Sequence, residues 1–198
     1  MRPGRFPHCS QDSKKDILMS IISGHIFVKV FFALWPTLAE RSQLAAWQAP
    51  LKHLCGGRTM RSETLHNTLV FIGAVEQSRL EALQLAAQEV SAERFELCFD
   101  TARYWGHNHI VYAAPAHVPV QLAQLVGALE QNLVRHRFKF DRREYKPHVT
   151  LLRNARWTDA PLPGMQPVCW QINSFALMES VSQDGATSYR VLARFSLN

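Results

Sequence analysis

The spacing of apolar residues changes repeatedly along this chain, and each change of period marks an element. IFVKVFFALW, residues 26–35, is dense in Val and Phe and predicts a strand that Pro36 ends. From Thr37 to Leu54 the positions Leu38, Leu44, Ala45, Leu51 and Leu54 approximate a helical stripe. Pro50 is a point at which that helix bends or ends, and Gly56-Gly57 is a break. LHNTLVFIGAV, residues 65–75, predicts a second strand, closed by Gly73 and a polar turn. Residues 77–90 predict a helix with Leu80, Leu83, Ala87 and Val90 on one face. Arg94 to Asp100 places Phe95, Leu97 and Phe99 at strand period, and HIVYAAP, residues 109–115, predicts a further strand. The run from Val120 predicts the most regular helix, with Leu122, Leu125, Val126, Leu129 and Leu133 along one side. A basic loop follows, then the strand KPHVTLLR and a Pro/Gly-rich connection at 161–167. Two late strands are expected at about 168–179 and 188–197.

The order of these elements repeats. One half reads strand, Pro36, helix, break, strand carrying His66-Asn67-Thr68-Leu69. The other reads strand, Pro115, helix, basic loop, strand carrying His148-Val149-Thr150-Leu151. Supersecondary units of similar length predict two lobes related by an approximate two-fold, with equivalent strands facing each other across a groove. Residues i and i+2 of a strand share a face, about 6.6 Å apart. His66 and Thr68 therefore share one face, and so do His148 and Thr150. Two such strands across a cleft offer two imidazoles and two hydroxyls to one space.

Imidazole titrates near about pH 6.5, so one histidine can take a proton while the other gives one. A threonine hydroxyl can donate to an anionic oxygen without adding a competing charge. That set suits in-line displacement at phosphorus, with an acid and a base on opposite sides of a held anion. No metal or cofactor is needed if the ester is already activated by ring strain, as a 2',3'-cyclic phosphate is.

Composition sharpens this picture. The chain is 47% hydrophobic and 19% charged, which excludes a disordered polymer and a membrane protein. A net charge of +6 favours an anionic partner such as nucleic acid or a phosphorylated small molecule. Cys9, Cys55, Cys98 and Cys169 are widely spaced and form no C-x-x-C motif. They read as reduced thiols of a cytoplasmic protein, with Cys98 filling core space in FELCF. Residues 1–25 read as a poorly ordered extension without a signal peptide's uninterrupted apolar run, and Met19 is an alternative start.

The segments FFALWP, LHNTLVFIGAV and YKPHVTLLR, with the separation of the two His-x-Thr motifs, resemble the 2H phosphoesterases. The similarity is greatest to the branch known as 2'-5' RNA ligase or RNA 2',3'-cyclic phosphodiesterase, and it runs from about Phe27 to the C-terminus. The resemblance implies an α+β fold of two pseudo-symmetric lobes, antiparallel sheets lining a central cleft and helices outside, in one domain over residues 26–198. It implies metal-free hydrolysis of RNA 2',3'-cyclic phosphate ends to a 2'-phosphate, with a reversible 2'-5' ligation. By the same match His66 is the proton donor to the leaving 3' oxygen and His148 is the proton acceptor from water. From the residues alone either histidine could take either role. The implied partner is RNA with a cyclic phosphate end, tRNA fragments included, bound by a monomer with no membrane partner. Two other readings keep the cleft: a phosphodiesterase of small cyclic nucleotides or ADP-ribose cyclic phosphate, and a non-catalytic RNA-binding protein.

Several residues are secondary candidates. Arg153 matches a basic position of the family and would bind substrate phosphate, yet strand parity points it away from His148 unless the strand bends. Arg135, Arg137, Lys139, Arg142, Arg143 and Lys146 could track RNA phosphates or form an ordinary solvated loop. Phe138, Phe140 and Tyr145 could stack on bases, with core packing favoured for the two Phe. Phe71 would floor the groove or pack in the core, with core packing favoured. His107 and His109 could suggest a metal pair but have no carboxylate or cysteine companion, so a loop and strand-start reading is favoured. His53 and His117 are expected on the surface.

Overall fold

In the computed structural model, residues 26–156, 158–183 and 186–198 are described; the N-terminal extension and Met19 lie outside them. Strand β1 (Phe27–Leu34) leads through Pro36 into helix α1 (Leu38–Ala46). Thr37 caps α1 with a capping box: its hydroxyl accepts from the Glu40 N–H, and Glu40 accepts from the Thr37 N–H at 2.7 Å. Helix α2 (Gln48–Cys55) follows after a break at Trp47. The one helix expected over 37–54 is thus two. Pro50 sits in the first turn of α2, where its missing N–H costs nothing, but it could not have continued α1.

Short β2 (Arg58–Thr59) precedes β3 (Asn67–Glu76), which runs through Gly73 rather than ending there. Helix α3 (Leu80–Gln88) is followed by β4 (Phe95–Phe99), β5 (Thr101–Trp105) and β6 (Ile110–Ala114). Helix α4 (Val120–Arg135) buries the leucine stripe read from the sequence. Then come β7 (Val149–Arg153), β8 (Val168–Ile172), β9 (Ser174–Gln183) and β10 (Ala186–Ser196). The first late strand is therefore two, separated by Asn173 alone.

The main sheet has the order β10-β9-β1-β3-β7-β6-β5, with β2 on β7, and its paired strands are antiparallel. The expected repeat is visible in it: β1, the α1–α2 helices and β3 form one half, and β6, α4 and β7 the other. Among the described residues β3 and β7 meet at one backbone pair, Asn67 opposite Val149, and β2 adds Arg58 opposite Arg153 and Thr59 opposite Leu152. Beneath the sheet lies a continuous apolar core that includes Phe32, Leu34, Leu51, Leu97, Leu125, Leu129, Leu151 and Trp170.

Strands β4 and β8 form a separate two-stranded sheet. Here the structure corrects the reading of the cysteines. Cys98 stands opposite Cys169, and the two form a disulfide; Cys55 is a buried free thiol. Cys98 does not fill the core, because Phe95, Leu97 and Phe99 take the inward face of β4 and leave position 98 pointing outward. Sequence spacing could not show the pairing, since the partners are 71 residues apart.

Gly57 holds the end of β7 in place. Its φ is +82°, and a Cβ there would lie 2.7 Å from the Arg153 carbonyl oxygen. Gly57→Ala is expected to cost about 1–3 kcal/mol of stability. The check is the midpoint of urea unfolding; an unchanged midpoint contradicts the close approach.

Candidate active site

Both His-x-Thr motifs enter their strands in the same way. The Nδ1–H of His66 donates to the Thr64 carbonyl at 2.7 Å, and the Nδ1–H of His148 donates to the Lys146 carbonyl at 2.7 Å. Each imidazole is thereby held in the tautomer that leaves Nε2 free for chemistry. His66 Nε2 lies 3.1 Å from the Thr68 hydroxyl. His66, Thr68, His148, Thr150 and Arg153 line one cavity of about 220 Å³, with Phe31, Phe71 and Tyr189 among its other walls. The convergence expected from the repeated motifs is therefore present.

Arg153 reaches the groove through a bulge. Along β7, Tyr112 of β6 pairs with Thr150 while Val111 pairs with Leu152, so Leu151 is an extra, unpaired residue. Leu151 and Leu152 are both buried, and Arg153 returns to the face of His148 and Thr150. The bend that parity demanded is this bulge. Strand β3 does the same: Ala33 pairs with Thr68 and Phe32 with Val70, leaving Leu69 unpaired. Leu69 and Val70 are buried and Phe71 emerges into the groove, 46% exposed. Phe71 thus lines the groove rather than the core. The leucine of each His-x-Thr-Leu motif is the residue that resets the parity.

Each imidazole sits in an aromatic surround. Around His66 are Trp35, stacked with ring centroids 5.8 Å apart, Phe31 at 5.1 Å and Tyr189 at 4.9 Å. Behind Trp35 the buried Arg41 guanidinium lies 4.3 Å from the ring centroid. Around His148, Trp105 and Tyr112 present ring edges at 4.6 and 5.7 Å. Burial is the main reason that both rings hold protons weakly. It lowers the His66 pKa to about 4; the Thr64 carbonyl opposes this, and His148, Arg41 and Arg153 push further down. His148 is lowered by burial, against the Lys146 carbonyl and with the charges of Arg153 and Arg143. The Tyr189 hydroxyl is raised by burial, which Arg153 partly offsets.

A second cavity of about 530 Å³ continues from the first past His148 and Trp105. The basic loop divides over it. Arg143 and Lys146 line this cavity, each also paired with an acidic neighbour, Asp141 and Glu144. Arg135 is instead engaged by Glu89, and Arg142 lies over Phe140. Phe138 is core and Phe140 packs against the core. Tyr145 is partly buried: it packs against the core and also lines the larger cavity, and its hydroxyl lies 2.8 Å from the Asn67 amide.

His109 bonds to the Tyr104 hydroxyl at 2.9 Å, while His107 lines the larger cavity beside Trp105. Neither belongs to a group with metal-ligand spacing among the described residues. His53 and His117 are exposed, as expected. Sequence reasoning missed Trp105, Tyr112 and Tyr189 at the site. The sequence predicts the strands of Tyr112 and Tyr189 but none over 101–105, and no motif marks an aromatic that serves as a wall. No helix among the described residues is long and apolar enough to cross a membrane.

Comparison with known proteins agrees with this geometry. Residues 35–184 match the family model of the 2'-5' RNA ligase superfamily. The chain is 31% identical over 170 residues to the RNA 2',3'-cyclic phosphodiesterase of Escherichia coli (strain K12), covering 85% of this chain and 96% of that protein. The crystal structure of E. coli LigT in apo form superposes with a TM-score of 0.78 at 31% identity, covering 86% of this chain and 98% of that one. The same protein complexed with 3'-AMP gives a TM-score of 0.79 at 29% identity, covering 87% and 99%. Matched in sequence over most of its length and in the course of its backbone, the chain belongs to the 2'-5' RNA ligase superfamily.

Proposed function

We propose that this chain is a metal-independent RNA 2',3'-cyclic phosphodiesterase that opens cyclic phosphate ends to a 2'-phosphate. The observation that carries the reading is the convergence of two Nδ1-anchored imidazoles, from duplicated strands, on one cavity with a threonine beside each. The name of the E. coli relative and the 3'-AMP bound by LigT support the same substrate class.

The cyclic phosphate sits between the rings. The hydroxyls of Thr68 and Thr150 and the guanidinium of Arg153 hold its non-bridging oxygens. His148 Nε2 takes a proton from water as the water oxygen bonds to phosphorus. The P–O3' bond breaks, and O3' takes a proton from His66 Nε2. The products are a 2'-phosphate and a free 3'-hydroxyl, with the proton now on His148 and returned to His66 through solvent. A 5'-hydroxyl in the place of water gives a 2'-5' bond by the same displacement. Assigning His66 as donor rests on the family match. Its low proton affinity in the free protein means that the proton arrives with the anionic phosphate, which supplies the counter-charge that burial withholds. The enzyme acts as a monomer in the cytoplasm on RNA ends, tRNA fragments included.

Hydrolysis of an oligonucleotide ending in 2',3'-cyclic phosphate should persist in EDTA. His66→Ala and His148→Ala should each lose at least about 10²-fold in rate. Activity surviving in both variants removes the mechanism, and preference for mononucleotide cyclic phosphates over the oligonucleotide moves the substrate class. Arg153→Met should raise KM more than it lowers kcat if the guanidinium binds the phosphate in the ground state. Equal loss in kcat and kcat/KM assigns Arg153 to the transition state instead.

The pH dependence follows from the lowered pKa values. The reactive free protein carries one proton on the histidine pair. Because both rings hold protons weakly, kcat/KM should peak below about pH 6.5 and fall toward alkaline pH. Bound phosphate raises the pKa of the ring it faces, so kcat should hold to higher pH than kcat/KM. Profiles of the two that coincide contradict proton uptake with substrate.

A further inference from the structure

The two motifs differ at their second position: Asn67 in one, Val149 in the other. Both side chains point away from the groove, and both are fully buried. A buried valine is ordinary strand packing; a buried primary amide must find partners for two donors and an acceptor. Asn67 finds them across the join between the halves. In the orientation that matches donors with acceptors, its Nδ2 donates to the Tyr145 hydroxyl at 2.8 Å and to the Thr68 carbonyl at 3.1 Å. Its Oδ1 accepts from the His148 backbone N–H at 3.1 Å. The opposite orientation would set Oδ1 against the Thr68 carbonyl oxygen and leave the amide group facing the His148 N–H.

One side chain, lying between His66 and Thr68 in sequence, thus grips the peptide of His148. It also fixes Tyr145, which stands three residues before that histidine and is itself partly buried. Asn67 and Val149 are the sole backbone pair between β3 and β7 among the described residues, and the further pairs that tie β7 to the first half, through β2 at Leu152 and Arg153, lie beyond the second motif. Resting on the two-histidine reading above, we infer that Asn67, with Tyr145, is a positioning residue that sets where the His148 imidazole stands relative to His66 and the phosphate. Asn67 lies on the opposite face of β3 from the reacting groups and acts through the His148 peptide.

The test is kinetic. Asn67→Val makes the first motif identical to the second and places a good strand former in the same buried space. It should lower kcat by about 10- to 100-fold, the size of loss that follows a small misplacement of a reacting group. KM should change little, because Thr68, Thr150 and Arg153 still hold the phosphate. Tyr145→Phe should move kcat in the same direction by less. The deciding measurement is the pair of His148→Ala and His148→Ala/Asn67→Val. If Asn67 works through His148, the double variant is no slower than the single one. A full further loss on that background assigns Asn67 to general stability and overturns the inference, as does an Asn67→Val protein with wild-type kcat. Should Asn67→Val not fold, as read by circular dichroism and the melting transition, Tyr145→Phe with and without His148→Ala decides by the same criterion. If His66→Ala and His148→Ala keep activity, the functional reading itself fails. If they lose it while Asn67→Val and Tyr145→Phe do not, only the positioning role does.

Discussion

The structure depends on one constraint: two halves, each with its own strand-helix-strand unit, must share a sheet at the point where their histidines lie. Among the described residues they do so through three backbone pairs on β7: Asn67 of β3 with Val149, and Arg58 and Thr59 of β2 with Arg153 and Leu152. A long β3–β7 ladder would turn this point into continuous flat sheet. A short contact lets the strands diverge immediately, and the space between them becomes the groove. The apolar core below runs under both halves, with Leu34 and Leu51 from one and Leu125 and Leu151 from the other, so rigidity comes from burial rather than from the ladder.

That core also explains the state of the histidines. Imidazoles standing directly on a packed sheet, ringed by Trp35, Phe31 and Tyr189 on one side and Trp105 and Tyr112 on the other, lose most of their hydration. The carbonyls of Thr64 and Lys146 fix their tautomers and return only part of what burial removes. The cavity presents oriented rings that hold protons weakly, with the permanent charge of Arg153 in its wall.

Much of this was legible before the fold was known. The strand and helix periods placed β1, β3, β4, β6, α4 and β7 closely, because amphipathic patterning is written locally. The duplicated His-x-Thr predicted convergence because two-residue spacing on a strand has one geometric meaning. What escaped has identifiable causes. TARYW carries no clean alternation, so β5 and with it Trp105 went unseen. The pairing of Cys98 with Cys169 depends on which distant strands lie side by side, which periodicity does not encode. Arg153 was caught by resemblance and opposed by parity, and both were sound: the bulge at Leu151 reconciles them. Tyr145 sat in a basic loop and looked available, while its hydroxyl was committed to a buried amide.

The two bulges have a consequence for direction. Each strand spends one extra residue, so the position that returns to the groove after the threonine is Phe71 on one half and Arg153 on the other. The two His-x-Thr units are nearly two-fold related, but this outer position is not: one flank offers an aromatic surface, the other a fixed positive charge. A near-symmetric frame therefore carries a built-in polarity. A nucleotide, which has a flat base at one end and an anion at the other, can lie along such a groove favourably in one sense and poorly in the reverse.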